Sequence, residues 1–131
     1  MFGLLNLAKP IGVTSRQVVN RVQRLVKPHK VGHAGTLDPL ATGVLVLGIG
    51  QATRLVEYIH TLPKRYRATF LLGRVSTTED VEGEVTLIPD ALQPSRADLE
   101  RACSLLTGEI VQRPPAYSAL MVGGVRSYAL A

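Results

Sequence analysis

Apolar positions along this chain change their period several times, and each change marks a candidate element. Leu4 to Leu7 reads as a short strand that ends at Lys9 and Pro10, after which Gly12 and Val13 turn the chain. Val18, Val19, Val22, Leu25 and Val26 then fall on one face at helical spacing, with Arg16, Asn20, Arg24 and Lys27 on the opposite face. Thr14 and Gln17 have the spacing of a capping box at the start of this helix, and Pro28 stops it. Residues 30–43, KVGHAGTLDPLATG, form a loop rich in Gly and Pro with one carboxylate, Asp38. Val44 to Leu47 is a continuous apolar run, the pattern of a strand buried on both faces.

A second amphipathic helix is predicted over Gln51 to Leu62, with Ala52, Leu55, Val56, Ile59 and Leu62 inward and Pro63 at its end. Lys64 to Gly73 alternates: Tyr66, Ala68, Phe70 and Leu72 share one face, and Arg65, Arg67 and Thr69 the other. That period of two predicts a strand with Tyr66 toward its apolar side. Arg74 to Gly83 is polar and acidic and reads as a loop into a short strand, Glu84 to Ile88. A third helix runs from a Ser95 cap to Leu106, with Gly108 as its stop. Pro114 and Pro115 keep the next segment extended until a new helix at Val125. That last helix shows no stop signal by Ala131, so a C-terminally truncated version of a longer chain is expected. Strands interspersed with helices predict an α+β class, and the length suits one domain.

Composition narrows the picture. With 46% hydrophobic and 19% charged residues the chain can bury a core and does not have the make-up of a disordered tail. No apolar run approaches the roughly 20 residues that cross a bilayer, so no membrane role is expected. Cys103 is the only cysteine, which excludes an internal disulfide and a cysteine-based zinc site and suits a reducing cytoplasm. His29, His33 and His60 lack metal-ligand spacing, so no metal is expected. Gly48, Gly50 and Thr53 after a buried strand approach a dinucleotide fingerprint, but Thr53 replaces the third glycine and no carboxylate follows about 20 residues on.

Charge is unevenly divided. Residues 1–74 carry eleven Lys and Arg against Asp38 and Glu57, a net of +9; residues 75–131 carry four Arg against eight carboxylates, a net of −4; together these give the +5 of the whole chain. A basic half fits either a polyanionic partner or a plain solvated surface. Asp38 lies between Gly35 and Gly43, and Pro39 biases it toward an extended conformation. An Asp-Pro pair that builds a turn and a carboxylate presented to a substrate both fit this placement.

The segments GLLNLAKPIGVTS, VGHAGTLDPLATGVL, KRY, STTEDVEG, RPPAYSAL and GVRSY, in that order over nearly the whole chain, closely resemble the N-terminal part of the TruB family of tRNA pseudouridine synthases. The resemblance implies a pseudouridine synthase fold, a mixed and mainly antiparallel sheet flanked by helices, of which residues 1–131 are a partial catalytic domain. It implies an isomerase that acts on the T loop of tRNA at position 55, as a monomer, without cofactor or metal. By resemblance Asp38 is the nucleophile, Tyr66 packs against the flipped uracil and is a candidate for proton transfer at C5, and His33 contacts the RNA. Lys9 is then expected to support the active-site loop, and Lys64 and Arg65, with the basic residues of the first helix, to hold phosphates.

Some positions depart from the family pattern. Ala8 stands where many members carry a polar residue, and Met121 where a lysine usually follows YSAL. The family's later KGTYIR motif, whose arginine pairs with the catalytic carboxylate, and its PUA domain do not occur in this sequence. Little or no turnover is therefore expected of the 131 residues alone. An alternative from another class is a non-catalytic RNA-binding or RNA-chaperone module, or an inactive fragment.

Overall fold

The computed structural model describes residues 1–78 and 80–111, and the backbone of two short strands, Met121–Val122 and Val125–Arg126. The chain divides into two compact units, Met1–Tyr66 and Arg67–Ala131. Among the described residues all regular pairing is antiparallel, and the elements interleave as an α+β chain.

The first unit is built on a sheet of three strands, β1 (Gly3–Lys9), β2 (Val31–His33) and β3 (Gly43–Ile49), in the order β1-β3-β2. The apolar run of β3 earns it the central place: β1 pairs along its whole length, from Gly3↔Ile49 to Lys9↔Gly43, and β2 pairs from Val31↔Ile49 to His33↔Leu47. Leu45, Leu47 and Ile49 share the inner face, where they pack on Val31 and on Val19 and Val22 of α1 (Ser15–Leu25). Burying an aliphatic side chain of this size is worth about 1.5–3 kcal/mol, so this small cluster dominates the stability of the unit. On the other face Val44 is exposed, while the end at Gly48 is covered by residues 52 and 53.

Helix α1 starts where its sequence says it should. Thr14 Oγ1 accepts from the Gln17 amide, and the Gln17 side chain accepts from the Thr14 amide, a complete capping box. Leu25, expected inward, is 82% exposed, while its neighbours Val22 and Val26 pack on the core.

The predicted helix over Gln51 to Leu62 is shorter and split into a 3-10 turn, Gly50–Leu55, and α2, Val56–His60. Neither piece has a side-chain N-cap, and Thr53 Oγ1 donates to Gly50 O across the three-residue spacing that the tighter turn favours. Ala52 is buried, whereas Leu55 and Leu62 are exposed. Gly48 explains the dinucleotide-like spacing: a Cβ there would stand 2.8 Å from Ala52 O and 2.9 Å from Thr53 Cα. The glycine lets the 3-10 turn fold back onto β3, which is a packing role.

The strand expected over Lys64 to Gly73 is not formed. Residues 63–71 are irregular, and Tyr66 and Phe70 are 71% and 82% exposed. Alternation marks a face, but a strand also needs a hydrogen-bonded neighbour, and no described segment pairs with this one.

In the second unit, β4 (Arg74–Ser76) pairs with β5 (Val85–Leu87), so the first residues of the expected 74–83 loop are strand. The turn between them is tied by side chains: Thr78 Oγ1 donates to Asp80 Oδ1 at 2.6 Å, and the Glu82 and Glu84 amides donate to Asp80 Oδ1 and Thr77 Oγ1. The Thr78 hydroxyl and then the Glu82 amide hold the Asp80 carboxyl below the usual carboxylate range. Helix α3 (Arg96–Leu105) follows the Ser95 cap, again with a full capping box, here to Asp98. The helix expected at Val125 is instead a strand, β7 (Val125–Arg126), paired with β6 (Met121–Val122). The Gly-Gly dipeptide at 123–124, between Val122 and Val125, is a sequence signal of a two-residue hairpin that the helical reading passed over. The expected extended course of residues 112–120 and the turns at 127–131 lie outside the described residues.

Candidate active site

The parity of β1 puts an unusual residue into the core. Leu5, Leu7 and Lys9 share the inner face by the two-residue period, and Lys9 is 1% exposed. Burying an ammonium is costly unless its donors are matched. Lys9 Nζ donates to three carbonyls, Val13 O at 2.7 Å, Pro10 O at 2.9 Å and Pro39 O at 3.2 Å, one for each of its N–H bonds. It thereby ties the end of β1, the turn before α1 and the loop after Asp38 to one point.

Pro39 O also accepts from the Gly12 amide at 2.8 Å, made possible by the left-handed φ of +82° at Gly12. On the other side of Asp38, the Leu37 amide donates to Ser15 Oγ at 2.9 Å, and the Ser15 hydroxyl donates back to Leu37 O at 3.0 Å. The Leu37 side chain packs against the core. Asp38 is thus flanked by two residues whose backbone is pinned, while its own side chain is exposed. Its carbonyl accepts from the Ala41 amide at 3.0 Å, the bond of a β-turn with Pro in the second position. The two readings of Asp38 are compatible: the backbone builds the turn, and the turn presents the carboxylate, which makes no hydrogen bond or ion pair among the described residues.

The other expected site residues are placed less tightly. His33 ends β2 and leads into the Asp38 loop, and its Nδ1 is buried without a hydrogen-bond partner among the described residues. Tyr66 lies in irregular chain. Arg65 is exposed, and Lys64 Nζ donates to His60 O at 2.6 Å and Leu62 O at 3.1 Å, capping the end of α2. No hydrogen bond among the described residues joins Lys64, Arg65 or Tyr66 to the Asp38 turn. Sequence reasoning missed Ser15, whose only signal is that Thr14 already fills the cap and leaves the next hydroxyl unassigned.

The surroundings are cationic. The first unit carries nine Lys and Arg against Asp38 and Glu57, and the ion pairs among the described residues, Arg96–Glu100 and Arg101–Asp98, both lie on α3. Arg16, Arg21 and Arg24 stand exposed on α1 without a carboxylate partner among the described residues. No described group of three or more His, Cys, Asp or Glu could hold a metal ion, and no described helix is long and apolar enough to cross a membrane.

What the first unit brings together is a carboxylate held out on a pinned turn within a basic α+β unit. The model of the TruB family pseudouridylate synthase N-terminal domain matches residues 23–131, and the chain belongs to that family. It is 51% identical to the tRNA pseudouridine synthase B of Arthrobacter sp. (strain FB24) over 127 residues, covering 97% of this chain and 42% of the relative. The protein of the same name from Cutibacterium acnes is 50% identical over 127 residues, covering 97% of this chain and 43% of its own length. That of Syntrophotalea carbinolica is 46% identical over 131 residues, covering 100% and 43%. The chain therefore spans less than half the length of these relatives. A solved structure of an H/ACA RNP bound to a substrate RNA containing 2′-deoxyuridine contains a chain 46% identical to it, covering 44% of this chain and 18% of that one, with a TM-score of 0.42.

Proposed function

We propose that this chain contributes the N-terminal part of an enzyme that isomerises uridine to pseudouridine in tRNA, at position 55 of the T loop, with Asp38 as the nucleophile. The reading is supported by the turn itself: the carboxylate is exposed and unpaired among the described residues, while the backbone on both sides is fixed by Lys9, Gly12 and Ser15. A nucleophile needs that combination, since its reach to the sugar must be set before the substrate arrives. The reading also rests on the relatives' shared name, tRNA pseudouridine synthase B.

The reaction breaks the bond between uracil N1 and C1′ of the ribose, turns the base, and rejoins it through C5, so the C5 proton is released and N1 gains one. Three routes give Asp38 the first step: attack at C1′, addition to C6 of the base, or removal of a sugar proton. A carboxylate suits the first because it can trap an electron-deficient sugar carbon, as in retaining glycosidases. Tyr66 is assigned to the face of the extruded uracil and to proton transfer at C5, and its exposed ring leaves it free to reach an RNA. His33 is assigned to the RNA beside the loop, and Arg16 and Arg24 of α1 with Lys64 and Arg65 to phosphates.

Tritium release from a T-loop RNA carrying 5-tritiated uridine reads the reaction whichever route operates. A full-length version carrying this sequence is expected to release tritium, and its Asp38→Asn variant to fall to background while still binding the RNA. Robust release by that variant would remove Asp38 as the nucleophile.

A further inference from the structure

We infer that Ser15 is a positioning residue for the Asp38 carboxylate, acting through the backbone of Leu37; the inference rests on Asp38 being the nucleophile. Ser15 is the first residue of α1, where a serine would ordinarily serve its own helix, but Thr14 and Gln17 have already closed the capping box. Its side chain points away from that task. It is 3% exposed, and its hydroxyl spends its donor on Leu37 O and an acceptor site on Leu37 N–H, 22 positions along the chain. One side chain thus satisfies both polar groups of a single residue in the way a neighbouring strand would.

The consequence lies one residue further on. The peptide joining Leu37 to Asp38 is planar, so holding the Leu37 carbonyl fixes the plane from which Asp38 departs. Pro39 restricts the conformation of Asp38, and its own carbonyl is held by Gly12 and Lys9. With both ends fixed, the carboxylate is left with little freedom beyond its side-chain torsions. Lys9 and Gly12 hold only the far side of Asp38; among the described residues Ser15 supplies the polar anchor on the near side. Without its hydroxyl, the Leu37 amide and carbonyl must turn toward water, and the plane feeding Asp38 turns with them.

The test is steady-state kinetics on the full-length version with the tritium-release substrate. Ser15→Ala is expected to lower kcat about 10- to 100-fold, the scale of a misplacement near 1 Å, with KM for the RNA within about threefold. Ser15→Cys fills nearly the same volume with a weak hydrogen-bonding group and is expected to lose kcat in the same way, which separates the hydroxyl from the space it fills. Rates are taken per folded molecule, with the folded fraction read by thermal unfolding. A kcat within about twofold of the parent in either variant, or a loss carried by KM or by unfolding alone, would overturn the inference. Asp38→Asn, assayed alongside, separates the two levels: full activity there removes the nucleophile itself. Loss there with an unchanged Ser15→Ala removes only the positioning role.

Discussion

The helices Ser15–Leu25 and Arg96–Leu105 open on the same device, a hydroxyl cap answered from the third helical position, yet they differ in everything that follows. The first buries Ser15, Val19 and Val22 against a sheet, whereas the second buries no residue and carries ion pairs on its surface. The difference extends to the units around them: no described residue between 67 and 111 is buried, while the first unit closes on β3. Caps decide where a helix begins, and partners decide whether it becomes part of a core. Only the region with a core holds Lys9 and Ser15 out of water, and through them the backbone on both sides of Asp38.

The largest test of that contrast is Leu47→Ala on the central strand, which is expected to cost about 2–5 kcal/mol in urea unfolding. Its counterpart Leu105→Ala on the exposed helix should stay within about 0.5 kcal/mol. A comparable loss at both sites would mean that the second helix has a packed face. Next is Lys9→Met, which keeps the stem and removes the ammonium. Although it relieves a buried charge, it leaves three carbonyls without their donor and should cost about 1–3 kcal/mol, with tritium release by the full-length version falling as well. Ser95→Ala should cost the third helix about 1 kcal/mol, seen as lost helical signal or faster amide exchange over residues 96–99.

The smallest effect is one of pH. The Ser95 hydroxyl and amide, with Arg101, hold the Asp98 carboxyl below the usual carboxylate range. A folded pKa below the unfolded one means that this contribution is present above the ordinary carboxylate value and fades as pH falls through the depressed one. An NMR titration of the Asp98 side chain should show the depression, and Ser95→Ala should move its midpoint upward. An unchanged midpoint would place the cap elsewhere.

What the sequence disclosed follows the same division between local and partnered features. The Thr14–Gln17 capping box, the Ser95 cap, the Gly12 turn and the apolar run of β3 were legible, because each is settled within a few neighbouring residues. The three-residue strands β2 and β4 were not, since VGH and RVS are too short to show a period and exist only through the strands beside them. The opposite error arose at residues 64–73, where a clear alternation has no described partner. At the candidate site the loop and its lone carboxylate stood out from the Gly, Pro and charge pattern. The burial of Lys9 was available in the parity of Leu5, Leu7 and Lys9. The hold of Ser15 on Leu37 was not available, because nothing local in either segment announces a contact 22 positions away.

The central claim is that the Asp38 turn is fixed from both sides while the segment bearing Tyr66 is not. Amide hydrogen exchange on this chain tests it residue by residue. The Leu37 amide, bonded to Ser15 Oγ, and the Gly12 amide, bonded to Pro39 O, should exchange at least about 100-fold more slowly than the amides of Tyr66, Arg67 and Phe70. Equal exchange at the two places would contradict a pinned carboxylate.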